Sequence, residues 1–129
     1  PQRASKRVDG HSAVFGTNIV EDSAVWTLKI HYTGRWMFVG IVRAATKPSK
    51  NSYSSDTYGW TRDKKFIKGS PVSTTTTQLF TGKATMVLKN NVLSLEQSQV
   101  KISIPVPTGK WRLHVNLHYV GDSVEIVPQ

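Results

Sequence analysis

The stretch WRLHVNLHYVGDSVEI, from Trp111 to Ile126, decides the fold class. Up to its turn, the apolar residues occupy every second position: Trp111, Leu113, Val115, Leu117 and Tyr119. The positions between them are polar: Arg112, His114, Asn116 and His118. Because successive side chains of a strand point to opposite faces, this alternation predicts a strand with one buried and one solvated face. Gly121-Asp122 then predicts a two-residue turn, so we expect a hairpin in which Leu117 lies opposite Ile126.

A second hairpin is predicted from Lys83 to Glu96, with Asn90-Asn91 as its turn, because asparagine tolerates the positive backbone angles of tight turns. This turn places Leu88 opposite Leu93 on an apolar face. The next segment, Val100 to Val106, also alternates, and its internal proline predicts a strand at the edge of a sheet.

Two further strands are indicated in the first third of the chain. Ala24 to Tyr32 alternates cleanly, whereas Trp36 to Ala44 is apolar at both alternating sets until Arg43, which predicts a strand covered on both faces. Strand signals recur about every ten to fifteen residues, and no long window keeps a helical period. The sequence therefore predicts an all-β, antiparallel sandwich of two sheets.

The domain organisation follows from length and the character of the first residues. Residues 1–7 are polar and basic without periodicity, so we expect a flexible arm or linker remnant there, followed by a single domain over 8–129. Because the chain begins with Pro, we expect a domain of a longer protein or a processed product. The sequence has no apolar run long enough to cross a bilayer and no signal-peptide pattern, so we expect an intracellular, cytoplasmic setting without membrane binding.

The charge is strongly positive, with 17 Lys and Arg against 8 Asp and Glu, a formal net charge of +9. Such a charge attracts phosphates and acidic partners. Four of the cations fall in one segment: Arg62, Lys64, Lys65 and Lys68. They suggest a nucleic-acid-binding module as an alternative function, although a solvated surface is the plainer interpretation because no interleaved aromatic motif accompanies them.

Catalytic and metal chemistry finds little support in the residues. The chain has no cysteine, so disulfides, cysteine zinc sites and thiol nucleophiles are excluded. His114 and His118 share a strand face but lie about 13 Å apart at about 3.3 Å per residue, too far to bind one ion. The predicted hairpin instead places His118 opposite Glu125. No nucleophile elbow, carboxylate pair in an apolar setting or phosphate-binding glycine motif occurs, so we expect no enzyme, metal or cofactor.

Binding through loops is the better hypothesis, because a sandwich gathers its loops at its ends. The polar segment Thr46 to Thr57 contains one aromatic residue, Tyr53, among serines, Asn51 and Asp56. This composition is typical of a recognition loop with one rigid anchor, and a disordered connection is the alternative interpretation. Tyr119, beside the Gly121 turn, is either a core residue or part of a pocket wall.

Five segments in order carry a family resemblance: AVWTLKI (24–30), WMFVGIVRA (36–44), TYGW (57–60), LFTGKATMVLKNNVLSLE (79–96) and WRLHVNLHYVGDSVEI (111–126). Through these segments the chain resembles a SPRY domain, from about Val8 to Pro128. Two positions depart from the family pattern, because Lys83 and Lys89 stand where Asp is common. Val120 stands near the position where some peptide-binding members carry a loop aromatic.

The resemblance implies a bent sandwich that is not catalytic and that captures a peptide or protein surface through loops at one side. It further implies a monomeric domain within a larger assembly. Carried over by position, the contact residues are Arg43, Lys47, Tyr53, Asp56, Tyr119, Val120 and Asp122. A third possibility is an assembly module that pairs through the edge strand near Val100 to Val106.

Overall fold

The computed structural model of the chain describes residues 3–5, 12–16, 18–32, 34, 36–46, 56–74 and 78–127. These residues form thirteen strands in two antiparallel sheets, and none of them is helical. Among them, accordingly, there is no helix with the length and apolarity needed to cross a membrane. The all-β sandwich predicted from the sequence is confirmed.

The first sheet has six strands in the order β1-β13-β4-β9-β10-β11. Their bounds are β1 Arg3–Ser5, β4 Ala24–His31, β9 Gly82–Lys89, β10 Val92–Gln97, β11 Val100–Pro105 and β13 Ser123–Val127. Because β11 ends the order, the predicted edge strand is confirmed.

The second sheet has seven strands, of which six follow the order β2-β12-β5-β6-β7-β8 and the seventh, β3, pairs with β12. Their bounds are β2 Ser12–Phe15, β3 Val20–Glu21, β5 Met37–Arg43, β6 Thr57–Trp60, β7 Lys64–Ile67, β8 Ser70–Ser73 and β12 Lys110–Leu117. β5 and β12 pair along their whole length near the middle of this sheet.

The core lies between the two sheets. Its largest fully buried side chains include Trp60, Trp111, Leu28, Ile30, Met86 and Leu95. Every one of them occupies the apolar set of its strand's alternation, as the pleat requires. At about 25 cal/mol per Å² of apolar surface, each large side chain buried here stabilises the fold by about 2 kcal/mol.

The hairpin with the Asn90-Asn91 turn forms as predicted. Leu88 lies opposite Leu93, and both asparagines have positive φ angles, 53° and 60°. β5 is likewise buried on both faces up to Arg43. In both segments the local residue pattern is sufficient to specify the structure.

The hairpin predicted from Trp111 to Ile126 is wrong. β12 pairs with β5 on one edge and with β2 and β3 on the other, whereas β13 pairs with β4 and β1 in the opposite sheet. The turn at Gly121-Asp122 therefore carries the chain from one sheet to the other. Glu125 lies opposite Lys29 rather than His118. The alternation correctly indicates the core face of β12, but it contains no information about which strand lies beside it.

The predicted flexible arm also differs from the structure in part. Arg3–Ser5 form β1, which pairs with Ser123 to Glu125. This pairing supplies hydrogen-bond partners to the outer edge of β13, which an open edge would leave to water. The remaining residues of 1–7 lie outside the described residues, and the single domain over 8–129 stays a prediction.

A row of four residues crosses the outer face of the second sheet: His114, Gly40, Gly59 and Phe66 are successive cross-strand neighbours. The ring of Phe38 covers the two glycines and contacts the rings at both ends of the row. Its centroid lies 5.4 Å from that of Phe66 and 5.0 Å from that of His114. A Cβ on Gly40 would lie only 2.6 Å from Gly59 Cα and 2.9 Å from Phe38 Cζ. The glycine pair thus makes room for the phenylalanine ring.

We expect Gly40→Ala to lower the free energy of unfolding by about 3 kcal/mol or more, because its methyl group would meet the backbone of the neighbouring strand. Gly34→Ala is the control. Gly34 has open space around its Cβ position and a φ of +94°, so its substitution should cost only about 1–2 kcal/mol of backbone strain. Urea denaturation measures both values, and an equal loss in the two variants would contradict the close packing at Gly40.

The polar face predicted for β12 is not solvated at its centre, although Arg112 and His118 at its ends are partly exposed. His114 and Asn116 are both fully buried on the outer side of the second sheet. Burial lowers the pKa of His114 to about 4, because the imidazolium form cannot be solvated there. At neutral pH the ring is therefore neutral and packs against Phe38.

This burial makes stability depend on pH in one window. The unfolded chain binds a proton at His114 near pH 6.5, whereas the folded chain binds it only near pH 4. The free energy of unfolding should therefore have its full value above about pH 6.5. It should fall by up to about 3 kcal/mol as the pH drops towards 4. We expect His114→Gln to lose this dependence and His31→Gln, at an exposed position, to retain it. Urea titrations at a series of pH values measure the slopes, and parallel slopes for wild type and His114→Gln would contradict the assignment.

Candidate functional site

One end of the sandwich contains a group of contacts around Arg43, the last residue of β5. Its guanidinium carbon lies 4.7 Å from the centre of the Trp111 ring, and its Nε lies 3.6 Å from Oδ1 of Asp56. Its Nη1 donates a hydrogen bond of 3.2 Å to the carbonyl of Thr108. We call Arg43, Asp56, Thr108 and Trp111 the Arg43 surface.

Tyr58 supports the Arg43 surface from the neighbouring strand β6. The Trp111 ring packs edge-on against Tyr58, with ring centres 5.3 Å apart. Burial raises the pKa of Tyr58, the charge of Arg43 opposes this shift, and Asp56 adds to it. The cation therefore packs on the indole, the indole packs edge-on against the phenol, and these contacts join Arg43 at the end of β5 and Asp56 before β6 to β12.

The opposite end of the sandwich has an aromatic cluster. Trp36 precedes β5 and His118 follows β12, and because Met37 pairs with Leu117, the two rings meet with centres 6.5 Å apart. The His118 ring stacks on Tyr119 at 4.4 Å, with an interplanar angle of 12°. The three rings are half-buried, and the adjoining Val120 is 49% exposed. We call Trp36, His118, Tyr119 and Val120 the aromatic surface.

Polar contacts support the turns around the aromatic surface. Arg62 Nη1 donates a hydrogen bond of 3.0 Å to the carbonyl of Gly34, close to Trp36. Thr81 Oγ1 accepts from the Tyr32 amide at 3.0 Å and donates to the Tyr32 carbonyl at 2.9 Å. Burial raises the pKa of Tyr32, while Arg62 opposes this shift and Asp122 adds to it. These charges therefore lie close to the Tyr32 side chain at the same end of the sandwich.

Two solved structures resemble the sandwich over nearly its whole length. The SPRY domain of human HERC1 has a TM-score of 0.74 and 15% identity, over 95% of this chain and 85% of that chain. The TRIM65 PSpry domain has a TM-score of 0.69 and 11% identity, over 95% of this chain and 73% of that chain. The chain has the SPRY-domain fold. No protein-family model and no curated protein matches the sequence.

Within this SPRY fold, the contact residues expected from the sequence do not form one site. Arg43 and Asp56 lie together at one end, whereas Tyr119 and Val120 lie at the other. The length of β12 separates the two groups by about 20 Å, at about 3.3 Å per residue. Lys47 and Tyr53 lie outside the described residues. Asp122 is fully buried, and its amide donates to the Tyr119 carbonyl at 3.2 Å, so it supports the turn and is not presented to a partner.

The basic residues proposed for nucleic-acid binding are also divided by the fold. Lys64 and Lys65 are neighbours in β7, so their side chains leave opposite faces of the sheet. Lys64 is exposed on the outer face, whereas Lys65 lies beside the core residue Trp60 and is half-buried. Arg62 is exposed and bonded to Gly34, and Lys68 lies in the turn after β7 with a φ of 54°. The cluster seen in the sequence is therefore not one basic patch.

Two residues of the aromatic surface, Trp36 and His118, are missed by the sequence analysis. Their meeting depends on the pairing of β5 with β12, which are separated by most of the chain. The sequence signal for them is an aromatic side chain directly beside each of two clearly predicted strands. Among the described residues, no group of three or more His, Asp or Glu side chains is arranged to hold a metal ion.

The Arg43–Asp56 pair can be tested by a double-mutant cycle. Both side chains are more than a third exposed, at 36% and 42%, so we expect a coupling energy of only about 0.5 kcal/mol. Arg43→Ala alone should cost about 1–2 kcal/mol, because it also removes the packing on Trp111 and the bond to Thr108. Urea denaturation of the single variants Arg43→Ala and Asp56→Ala and of the double variant measures these energies. A coupling above about 2 kcal/mol would contradict the screened, solvent-exposed pair.

Proposed function

We propose that this SPRY fold is a non-catalytic protein-interaction module that binds a peptide or protein segment at the aromatic surface. The observation that carries the proposal is the cluster of three half-buried rings beside the exposed Val120 at one end of the sandwich. The similarity to solved SPRY domains supports an interaction role in general terms.

The chemistry of the aromatic surface suits recognition of an apolar side chain. Aromatic rings supply large contact areas and lose little conformational entropy on binding, so they dominate the energetics of interfaces. Trp36 and His118 directly flank two paired central strands, which limits their freedom before any partner arrives. Such preorganisation lowers the entropic cost of binding. The exposed Arg62 beside this surface adds a donor for a carboxylate or a backbone carbonyl.

The Arg43 surface is the weaker candidate. Its guanidinium is already engaged by a carboxylate, a carbonyl and an indole ring. A partner would have to displace these contacts before it could use the same groups. We therefore assign Arg43 and Asp56 a structural role where β5 and β6 meet β12, and Tyr119 and Val120 a role in contact with the partner.

A peptide selection with matched variants tests this proposal. The full chain would be used to select binders from a random peptide library, and their dissociation constants would be measured by fluorescence polarisation. We expect Tyr119→Ala and Val120→Ser each to weaken the selected peptides about tenfold or more. Val25→Ser is the matched control, because Val25 is 51% exposed on β4, near the far end of the other sheet. Unchanged affinity in both surface variants, or an equal loss in the control, would overturn the assignment.

Salt separates this function from the alternative nucleic-acid module. Binding driven by phosphate contacts should weaken by orders of magnitude between about 50 and about 200 mM salt, whereas contact with the aromatic surface should change little. A single-stranded oligonucleotide that binds more tightly than any selected peptide, with that steep salt dependence, would favour the alternative. Sedimentation at several concentrations tests the third possibility, assembly through the edge strand β11.

A further inference from the structure

A concavity of about 300 Å³ lies on the outer face of the first sheet, beside the start of β9. Its lining includes Lys29, His31, Thr81, Gly82, Ser123 and Glu125. Its size is at the lower limit of pockets that hold small ligands, about 300 Å³. The residues come from three strands, β4, β9 and β13, and from the loop before β9, so the concavity is part of the sheet itself.

The charge arrangement beside this concavity is unusual for a strand pair. Lys29 on β4, which lines the concavity, lies directly opposite Lys83 on β9, which adjoins the lining at Gly82, and both side chains are exposed. Directly opposed residues have Cβ atoms about 5 Å apart, and like charges at this distance destabilise a sheet. On its other side Lys29 faces Glu125, so this row has one carboxylate for two ammonium groups. A bound anion would relieve the repulsion that remains.

Two further hydrogen-bond donors, a hydroxyl and an imidazole, stand close to Lys29. Ser123 is only 6% exposed, so its hydroxyl has already lost most of its hydration, and it lies opposite His31 in the register. A serine hydroxyl and an imidazole N–H can both donate to an oxyanion. Gly82, which also lines the concavity, has nothing within 4 Å of its Cβ position. Charged hydrogen bonds from lysine to a phosphate-type group are among the stronger polar contacts in proteins.

We propose that this concavity binds a phosphate-type oxyanion, which the ammonium groups of Lys29 and Lys83 hold together with the hydroxyl of Ser123 and the ring of His31. The anion is either free in solution or carried as a monoester on a partner's side chain. The site is on the outer face of the first sheet and does not depend on peptide binding at the aromatic surface.

Thermal unfolding in inorganic phosphate tests the site on the full chain. A ligand that binds only the folded state raises the Tm, so we expect phosphate to raise it by at least about 3 °C over sodium chloride of equal ionic strength. In Lys83→Gln most of this gain should disappear, while stability in chloride should be equal to or greater than that of wild type because the like-charge contact is gone. Lys101→Gln is the matched control, since Lys101 is exposed on the same face but lies opposite Glu96, outside the concavity.

A second measurement identifies the source of the anion. Isothermal titration would compare inorganic phosphate with a short phosphoserine peptide and its unphosphorylated form. A phosphopeptide that binds more than about tenfold tighter than phosphate supports an anion carried by a partner, whereas equal affinities support a free anion. An equal gain of Tm in wild type, Lys83→Gln and Lys101→Gln, or no gain over chloride, would overturn the proposal. So would retention of phosphate affinity in Lys83→Gln.

Discussion

The pairing of β12 with β5 is the interaction on which both ends of the sandwich depend. The two strands lie side by side from Trp111 opposite Arg43 to Leu117 opposite Met37. At the first end this register brings the guanidinium over the indole, and at the second it brings Trp36 beside His118. One ladder of backbone hydrogen bonds thus assembles two distinct surfaces, with a separation set by the length of the strands. A shift of this register by one residue would move every side chain of one strand to the opposite face of the sheet, and the contacts that form both surfaces would be lost.

Much of the fold follows from patterns that are local in sequence. The alternation of apolar residues in β4, β9, β10 and β12 specifies which side chains enter the core, and the core confirms it. The turn at Asn90-Asn91 is specified by two residues that tolerate positive φ, and its register follows directly. The apolar residues at both alternating sets of β5 correctly indicate a strand buried on both faces. In each case the feature depends on residues close together in the sequence, either within one strand or across one tight turn.

The strand order and the two surfaces depend on contacts between residues that are distant in sequence. Such contacts produce no pattern in any short segment of the chain. Leu117 and Ile126 have the spacing of a hairpin pair, yet the two strands belong to different sheets because each already has partners on both edges. His114 occupies a polar position in the alternation, yet it is buried because the outer face of its sheet is covered as well. The aromatic surface is invisible in the sequence for the same reason: its two halves meet only once the central strands have paired. Of its residues, only Tyr119 and Val120 belong to a segment that the sequence singles out, because they lie beside a recognisable turn, and their contact with a partner stays a prediction.

The strand register also determines which cations lie beside an acid in this chain of net charge +9. Several of its acids stand opposite cations in neighbouring strands: Glu21 opposite Lys110, Glu96 opposite Lys101, and Glu125 opposite Lys29. Asp56 forms an ion pair with Arg43, with 3.6 Å between Oδ1 and Nε. These acids thus lie beside particular cations, and a cation whose cross-strand neighbour is not an acid contributes to the net positive charge. Lys83 is such a cation, because its cross-strand neighbour is a lysine. In the row Glu125, Lys29 and Lys83, two ammonium groups stand beside one carboxylate, so like-charge repulsion remains there that a bound anion would reduce.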